Sequence, residues 1–227
     1  MAGKFPSCYN HAIFGLSNNK RMQDVFKVYF SHRTVQVLWV LFFAFLVLSI
    51  FIGVFGSHWW WLFLPIIIAP FYEWYAHKYL LHAKLTEKRG FFRNFQIRLH
   101  HGHHKYPQDV ELLFAPWSAI ILHLIQTYLL FALITWSFSV ALVPFTFGIL
   151  YYLFYEWMHL AHHTPAYQPK TQVGHRLKRA HMRHHFHNEN YCWGITNYLG
   201  DLCFGTFKER NDVAKSPTAK QISGFNE

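Results

Sequence analysis

Histidines recur in this chain in four clusters: His77-Lys-Tyr-Leu-Leu-His82, His100-His101-Gly102-His103-His104, His159-Leu-Ala-His162-His163 and His181-Met-Arg-His184-His185. A neutral imidazole offers a nitrogen lone pair and is a common ligand for iron, zinc and copper. In an α-helix, residues at i, i+3 and i+4 share a face, so HxxHH turns three imidazoles in one general direction. The neighbours at i+3 and i+4 still diverge by about 100° in projection. One such motif can therefore serve two adjacent ions. The HxxxH pair His159 and His163 lies on one stripe, whereas the HxxxxH pair His77 and His82 is expected to diverge, which again suits two centres. One ion takes roughly four to six donors, so ten clustered donors point to two ions. Packing alone does not explain the pattern, because protonated rings would repel one another and a solvated polar face has no use for a repeated HxxHH spacing.

The remaining histidines read differently. Within the clusters His101, His162 and His187 are spares, in supporting or surface positions; His101 could replace His100 as a donor, and His162 makes the third cluster readable as HxxHH. His11, His32 and His58 stand alone and read as ordinary polar residues. His123 falls inside an apolar stretch, where an ionisable group is costly and often functional, or else is a neutral ring bonded between helices. The three cysteines, Cys8, Cys192 and Cys203, form no CxxC pair and no disulfide framework.

The elements that must hold these rings are membrane helices. Apolar residues make up 52% of the 227 and charged residues only 14%, against about 25% charged in a soluble domain. Thr34 to Phe55 carries no charge over 22 residues, about 33 Å of helix and the thickness of a bilayer core. A second span is expected from Trp59 to Tyr72 after a break at Gly56, Ser57 and His58, with kinks possible at Pro65 and Pro70 and Trp59, Trp60 and Trp61 as an interfacial belt. The 42 uncharged residues from Phe114 to Tyr155 accommodate two more spans, Pro116 to Trp136 and Val140 to Tyr155, with the turn between Trp136 and Pro144. Two hairpins then put every histidine cluster on one side. All 21 Lys and Arg residues fall on that side and neither hairpin tip has one, so the positive-inside rule makes it cytoplasmic. The net charge of +10 is read as attraction to anionic lipid headgroups, not to nucleic acid. No cleavable signal peptide is visible in Met1 to Lys27. The organisation expected is a cytoplasmic segment 1–33, a membrane domain 34–207 and a polar, mobile tail 208–227. The fold class is all-α: an integral, multi-pass membrane protein with four helices in two hairpins and a helical, histidine-rich cap.

In the order HxxxxH, HxxHH, HxxxH, HxxHH, and in the segments Glu73 to His82, His100 to Lys105, Tyr155 to His159 and Leu177 to Phe186, followed by Gly194-Ile-Thr196 and Asp201-Leu-Cys-Phe204, the chain resembles the fatty acid hydroxylase and sterol desaturase superfamily of membrane di-iron enzymes, and within it the fatty acid 2-hydroxylases. The resemblance implies that His77, His82, His100, His103, His104, His159, His163, His181, His184 and His185 are the catalytic metal ligands of two iron ions, although zinc can occupy such a site on purification. It implies a non-haem monooxygenase that uses dioxygen to hydroxylate the acyl chain of a fatty acid or sphingolipid-type substrate in lipid biosynthesis. The bacterial inner membrane and the endoplasmic reticulum are the membranes expected. Each turnover needs two electrons, and with no haem module, flavin fingerprint or iron–sulfur cysteine set in view, an external donor is implied: a haem protein, a ferredoxin-type carrier or a flavin reductase. The roughly 33 residues before the first span are too few for the fused haem domain of some relatives. Glu73 and Glu156 are candidates for orienting imidazoles by accepting an N–H bond, or simply mark the ends of spans. The same core could instead hydroxylate or desaturate a sterol or carotenoid. A zinc transporter or sensor is the non-enzymatic alternative, but transport places ligands midway through spans and a structural zinc needs four donors, not ten.

Overall fold

A computed structural model describes residues 21–86, 90–220 and 222; Cys8, His11 and residues 1–20 of the amino-terminal segment lie outside these. Every regular element among the described residues is helical. A short helix α1 (Met22–Ser31) leads into α2 (Arg33–Phe51). Helix α3 (Val54–Leu81) returns, α6 (Trp117–Thr135) and α7 (Phe138–His163) make the second hairpin, and α8 (Gln172–Phe186) and α9 (Leu199–Cys203) follow. Between the hairpins lie α4, residues 91–105, and a single turn α5 (Val110–Leu113).

The four spans sit where apolar length demands; the third matches the expected Pro116 to Trp136, whereas the ends of the other three differ from the expectation. The first hairpin turns at Ile52 and Gly53, not at Gly56 to His58, because Gly53 takes a left-handed backbone (φ 76°) that ends α2. Residues 56–58 instead continue as helix, and Trp59–Phe63 tightens to a 3-10 turn before Leu64–Tyr75 resumes α-geometry. Pro65 occupies the first turn there, where its missing N–H costs nothing. The second hairpin is tighter than expected: Trp136 is left-handed (φ 52°), and Ser137 caps α7 by accepting the Val140 N–H at 3.2 Å. Pro144 is therefore inside α7, which runs unbroken from Phe138 past Tyr155 to His163.

Helix α7 is the central element, packed on α2, α3 and α6. Leu38 and Phe42 from α2, Ile120 and Phe131 from α6, and Phe145 and Ile149 from α7 are all buried, whereas Val40, Val47, Phe51, Ile67 and Leu133 point outward as a lipid-facing surface. Buried hydroxyls find partners within their own helices: Ser49 donates to the Leu46 carbonyl at 2.8 Å and Thr146 to Leu142 at 2.7 Å, as backbone in hydrocarbon allows and water cannot. At the charged end, α1 docks through Val25 and Tyr29, whose hydroxyl donates to the Leu153 carbonyl at 2.7 Å, while Phe26 stacks on Trp157 at 4.6 Å.

Candidate metal centre

Three local features aim the histidines. In α3 the helix widens to π-geometry over Ala76–Leu81, and the His82 N–H donates to the His77 carbonyl at 3.1 Å, an i→i+5 bond. At five residues apart, α-geometry would splay the two rings by about 140°. The π-turn converges them instead, to 5.1 Å between ring centroids. This corrects the expectation that His77 and His82 serve different centres. A second π-segment, Ile97–His101, precedes the turn carrying His103 and His104. At the junction Gly102 relieves a tight approach, since a Cβ there would lie 3.0 Å from the Ile97 carbonyl oxygen. The third feature is α8, started by the Thr171 hydroxyl accepting from Gly174 N at 3.1 Å. Its buried stripe is Leu177, Ala180, His181, His184 and His185, the i, i+3, i+4 spacing of one helical face. Lys178 donates to the carbonyls of Thr164 and Tyr167, at 2.8 and 2.6 Å, tying α8 to the end of α7.

The ten histidines converge in two groups of five. His77, His82, His100, His104 and His184 form the first; His103, His159, His163, His181 and His185 form the second; within each, one nitrogen per ring lies within 4.8 Å of all the others. All are buried except half-buried His82. The rule of assignment is the helical one. Rings four apart, His100 with His104, His159 with His163 and His181 with His185, share a group; their adjacent partners His103 and His184 cross to the other. The groups touch at His104 and His185, stacked with centroids 4.0 Å apart. Nε2 atoms face each other at 3.0 Å (His77, His100), 3.1 Å (His82, His184), 3.1 Å (His103, His163) and 2.8 Å (His163, His181). Such separations suit two donors on one ion at about 2.0–2.1 Å and nearly right angles.

Tautomers support the same use. A carbonyl can only accept, so His77 Nδ1 donates to Trp193 O at 2.5 Å, His184 Nδ1 to Tyr191 O at 2.8 Å and His104 Nδ1 to Ala219 O at 2.9 Å. Each bond places the proton on Nδ1 and leaves the Nε2 lone pair facing the group. In His104 that Nε2 is buried without a hydrogen-bond partner among the described residues, as is Nε2 of His159 and of His185. Buried lone pairs in this number fit a pair of metal ions. Burial also holds His100, His103, His184 and His185 well below the ordinary histidine pKa, and takes His104 down to about 3 against the opposing pull of the Ala219 carbonyl. The rings are thus neutral, as ligation requires.

Two of the anchoring carbonyls come from the loop 191–198, which two buried carboxylates brace. Glu73 accepts from the backbone N–H groups of Ile195 and Thr196, the latter at 2.9 Å, and from the Thr196 hydroxyl at 2.6 Å. Asp201 accepts from Trp193 N at 3.0 Å, Gly194 N at 2.7 Å and the Thr206 hydroxyl at 2.6 Å. Burial pushes the Asp201 carboxyl pKa up, and these donors oppose it. The chain packs so closely here that a Cβ on Gly194 would sit 1.8 Å from the Asn197 carbonyl oxygen. Glu73 therefore does not orient an imidazole directly; it braces the loop that does. Glu156 is buried beside Tyr152 and the Ala115 backbone rather than against a ring nitrogen.

The other histidines sort by contact. Buried His101 faces the carbonyls of Ile222 and Ala83, at 3.2 and 3.0 Å, outside both groups. His162 is buried between Tyr167 and His181, outside both groups. His123 pairs through Nδ1 with the Tyr72 hydroxyl at 3.0 Å and lies 5.0 Å from the Tyr152 ring, an interhelical contact of α3, α6 and α7. His32 stacks on Phe114 at 3.9 Å. The segment after 208, expected to be a mobile tail, packs over the first group through residues 213–220. Sequence reasoning missed it, because its contribution to His104 is a backbone carbonyl, which no side chain announces.

Comparison with known proteins agrees with this geometry. A dihydroceramide fatty acyl 2-hydroxylase of Arabidopsis thaliana is 34% identical over 159 residues, 69% of this chain and 62% of that protein. A fatty acid 2-hydroxylase of Rattus norvegicus is 28% identical over 70% of this chain and 40% of its own length. The chain thus spans about three-fifths of the plant relative and two-fifths of the mammalian one. The solved structure of full-length scs7p, in which only the hydroxylase domain is visible, has the same fold: TM-score 0.64 at 22% identity, over 79% of this chain and 69% of that one. With residues 62–206 matching the family model described as fatty acid hydroxylase, this chain belongs to the fatty acid hydroxylase family.

Proposed function

We propose that this protein is an oxygen-dependent hydroxylase of a lipid acyl chain, with the ten grouped histidines as ligands of two iron ions. The observation that carries the reading is the sorting of ten buried imidazoles into two adjacent groups of five at the ends of membrane helices. An iron pair, when bound, supplies dioxygen activation strong enough for an unactivated C–H bond. The residues of this chain supply placement. His77, His184 and His104 hold their protons on Nδ1 and present Nε2 inward. Beneath the second group Tyr155 lies 5.9 Å from His159 and 5.8 Å from Tyr152, so an acyl chain rising from the bilayer between α3, α6 and α7 would meet aromatic walls before the metals. Apolar walls of this kind select which carbon is exposed to reaction. The dihydroceramide and fatty acid 2-hydroxylase relatives favour a ceramide-type or free fatty acyl substrate. Two electrons per turnover come from a separate redox protein, and the histidine cap faces the cytoplasm, where the chain's Lys and Arg residues gather.

Two measurements test this. Metal-free protein reloaded with ferrous iron should consume oxygen and hydroxylate acyl lipid when given reductant, whereas zinc should bind without supporting turnover, since imidazole sites do not favour ferrous iron over zinc by affinity. Zinc-supported turnover with inactive iron protein would end the oxygenase reading. For orientation, single cysteines at Ser57 and Ser139 should be reached by an impermeant reagent from the non-cytoplasmic face of sealed membranes, and one at Lys215 only from the cytoplasmic face. The reverse pattern would overturn the cytoplasmic placement.

A further inference from the structure

The segment 213–220 lies over the first histidine group and is fastened at several points. Ser216 N donates to the His187 carbonyl at 2.8 Å, His187 Nε2 to the Val213 carbonyl at 3.0 Å, and Asn188 Nδ2 to the Ala214 carbonyl at 2.9 Å. The hydroxyls of Ser216 and Thr218 both donate to Glu189 Oε1, at 3.0 and 2.5 Å. Glu189 is buried, in the turn that follows α8. This fastening sets one residue precisely: Ala219, itself buried, whose carbonyl accepts the His104 Nδ1 proton. No contact of the segment with a ring of the second group is found among the described residues.

We propose that residues 213–220 are a latch for one metal position: Glu189 fastens the latch through Ser216 and Thr218, and Ala219 fixes the tautomer and direction of His104. The inference rests on the di-metal reading above. Three rings of the first group are pinned by backbone carbonyls, those of Trp193, Tyr191 and Ala219, and the third of these comes from the latch. Partners of this outer kind change metal affinity by about 10–100-fold. Glu189 contacts none of the ten rings among the described residues, so it is a positioning residue, and its effect reaches the metal through Ala219 and His104. Loosening the latch therefore frees His104 and weakens the first position, while the second keeps all five of its own ligands, none of which the latch touches among the described residues.

The test uses the full chain in detergent, loaded with zinc, with release into excess chelator followed by an absorbing indicator. Wild-type protein should bind two equivalents. Glu189→Ala should release one of them about tenfold faster and leave the other unchanged. Glu189→Gln, which keeps an amide oxygen for both hydroxyls, should release both as wild type does, and so should Lys215→Ala, an exposed site. In a His184→Ala background, where the first group is already broken, Glu189→Ala should no longer change the remaining release. Wild-type rates in both Glu189→Ala and a chain ending at residue 212 would overturn the latch. So would equal acceleration of both ions, which would mean general loosening, or a Gln variant as fast as the Ala variant. A wild-type chain holding fewer than two equivalents would overturn the di-metal reading itself, and the latch with it.

Discussion

Alanine at His184 and alanine at His185 are expected each to lower acyl-lipid hydroxylation by more than about a hundredfold, the upper end of what loss of an outer-shell partner costs a metal site, while emptying different ion positions. The two residues are neighbours on α8, yet His184 Nε2 meets His82 at 3.1 Å in the first group and the His185 ring lies 4.6 Å from His181 in the second. Each variant should therefore retain about one ion, and the surviving ions should differ in spectrum because their ligand sets differ. His175→Ala, exposed on the same helix, should keep two ions and full turnover. Metal analysis beside product formation decides the matter. If both variants kept two ions and normal turnover, the grouped histidines would be packing, not ligands. If both lost the same ion, the division of each HxxHH motif between two centres would be wrong.

That division was legible in the sequence because it follows from a fixed angle. Adjacent residues of an α-helix cannot point together, whereas those four apart must. The same reasoning failed at His77 and His82, where the backbone leaves α-geometry; the π-turn over Ala76–Leu81 has no residue signature comparable to a proline or a capping serine. The four spans were legible from uninterrupted apolar length, and so was the second turn, expected between Trp136 and Pro144 and found at Trp136 and Ser137. The first turn was not: Gly56 looked like the break, yet Gly53 makes it, since its left-handed backbone ends the helix, while Pro144 stays inside α7 because a proline near the start of a long helix loses little. Least legible were the supports of the site. The groups that orient His77, His184 and His104 are carbonyls of Trp193, Tyr191 and Ala219, atoms that every residue carries. Glu73 did stand out, as a charge beside a span; its partner did not, because Ile195 and Thr196 lie 122 and 123 residues away along the chain.

Glu73 gives the second large effect, and its test separates bracing from ligation. In Glu73→Ala the buried N–H groups of Ile195 and Thr196 lose their acceptor, and each unmade bond of that kind costs about 1–3 kcal/mol. The Thr196 hydroxyl keeps a partner, since Tyr151 lies 2.6 Å from it, but the backbone donors have no substitute among the described residues. Of the two bracing carboxylates only Asp201 should then hold the loop, through Trp193 and Gly194. The expected result is a lowered unfolding temperature together with weaker retention of the ion of the first group, because the loop carries the carbonyls that pin His77 and His184. Glu73→Gln should recover most of both, since an amide oxygen can still accept the two N–H bonds and the amide NH2 can donate to the Thr196 hydroxyl, which is able to accept. A direct ligand or proton carrier would behave otherwise: Gln would fail as completely as Ala in turnover while leaving stability untouched. Thermal unfolding and metal content measured on both variants distinguish the two cases. Equal stability of Glu73→Ala and the wild type would show that the loop does not depend on this carboxylate.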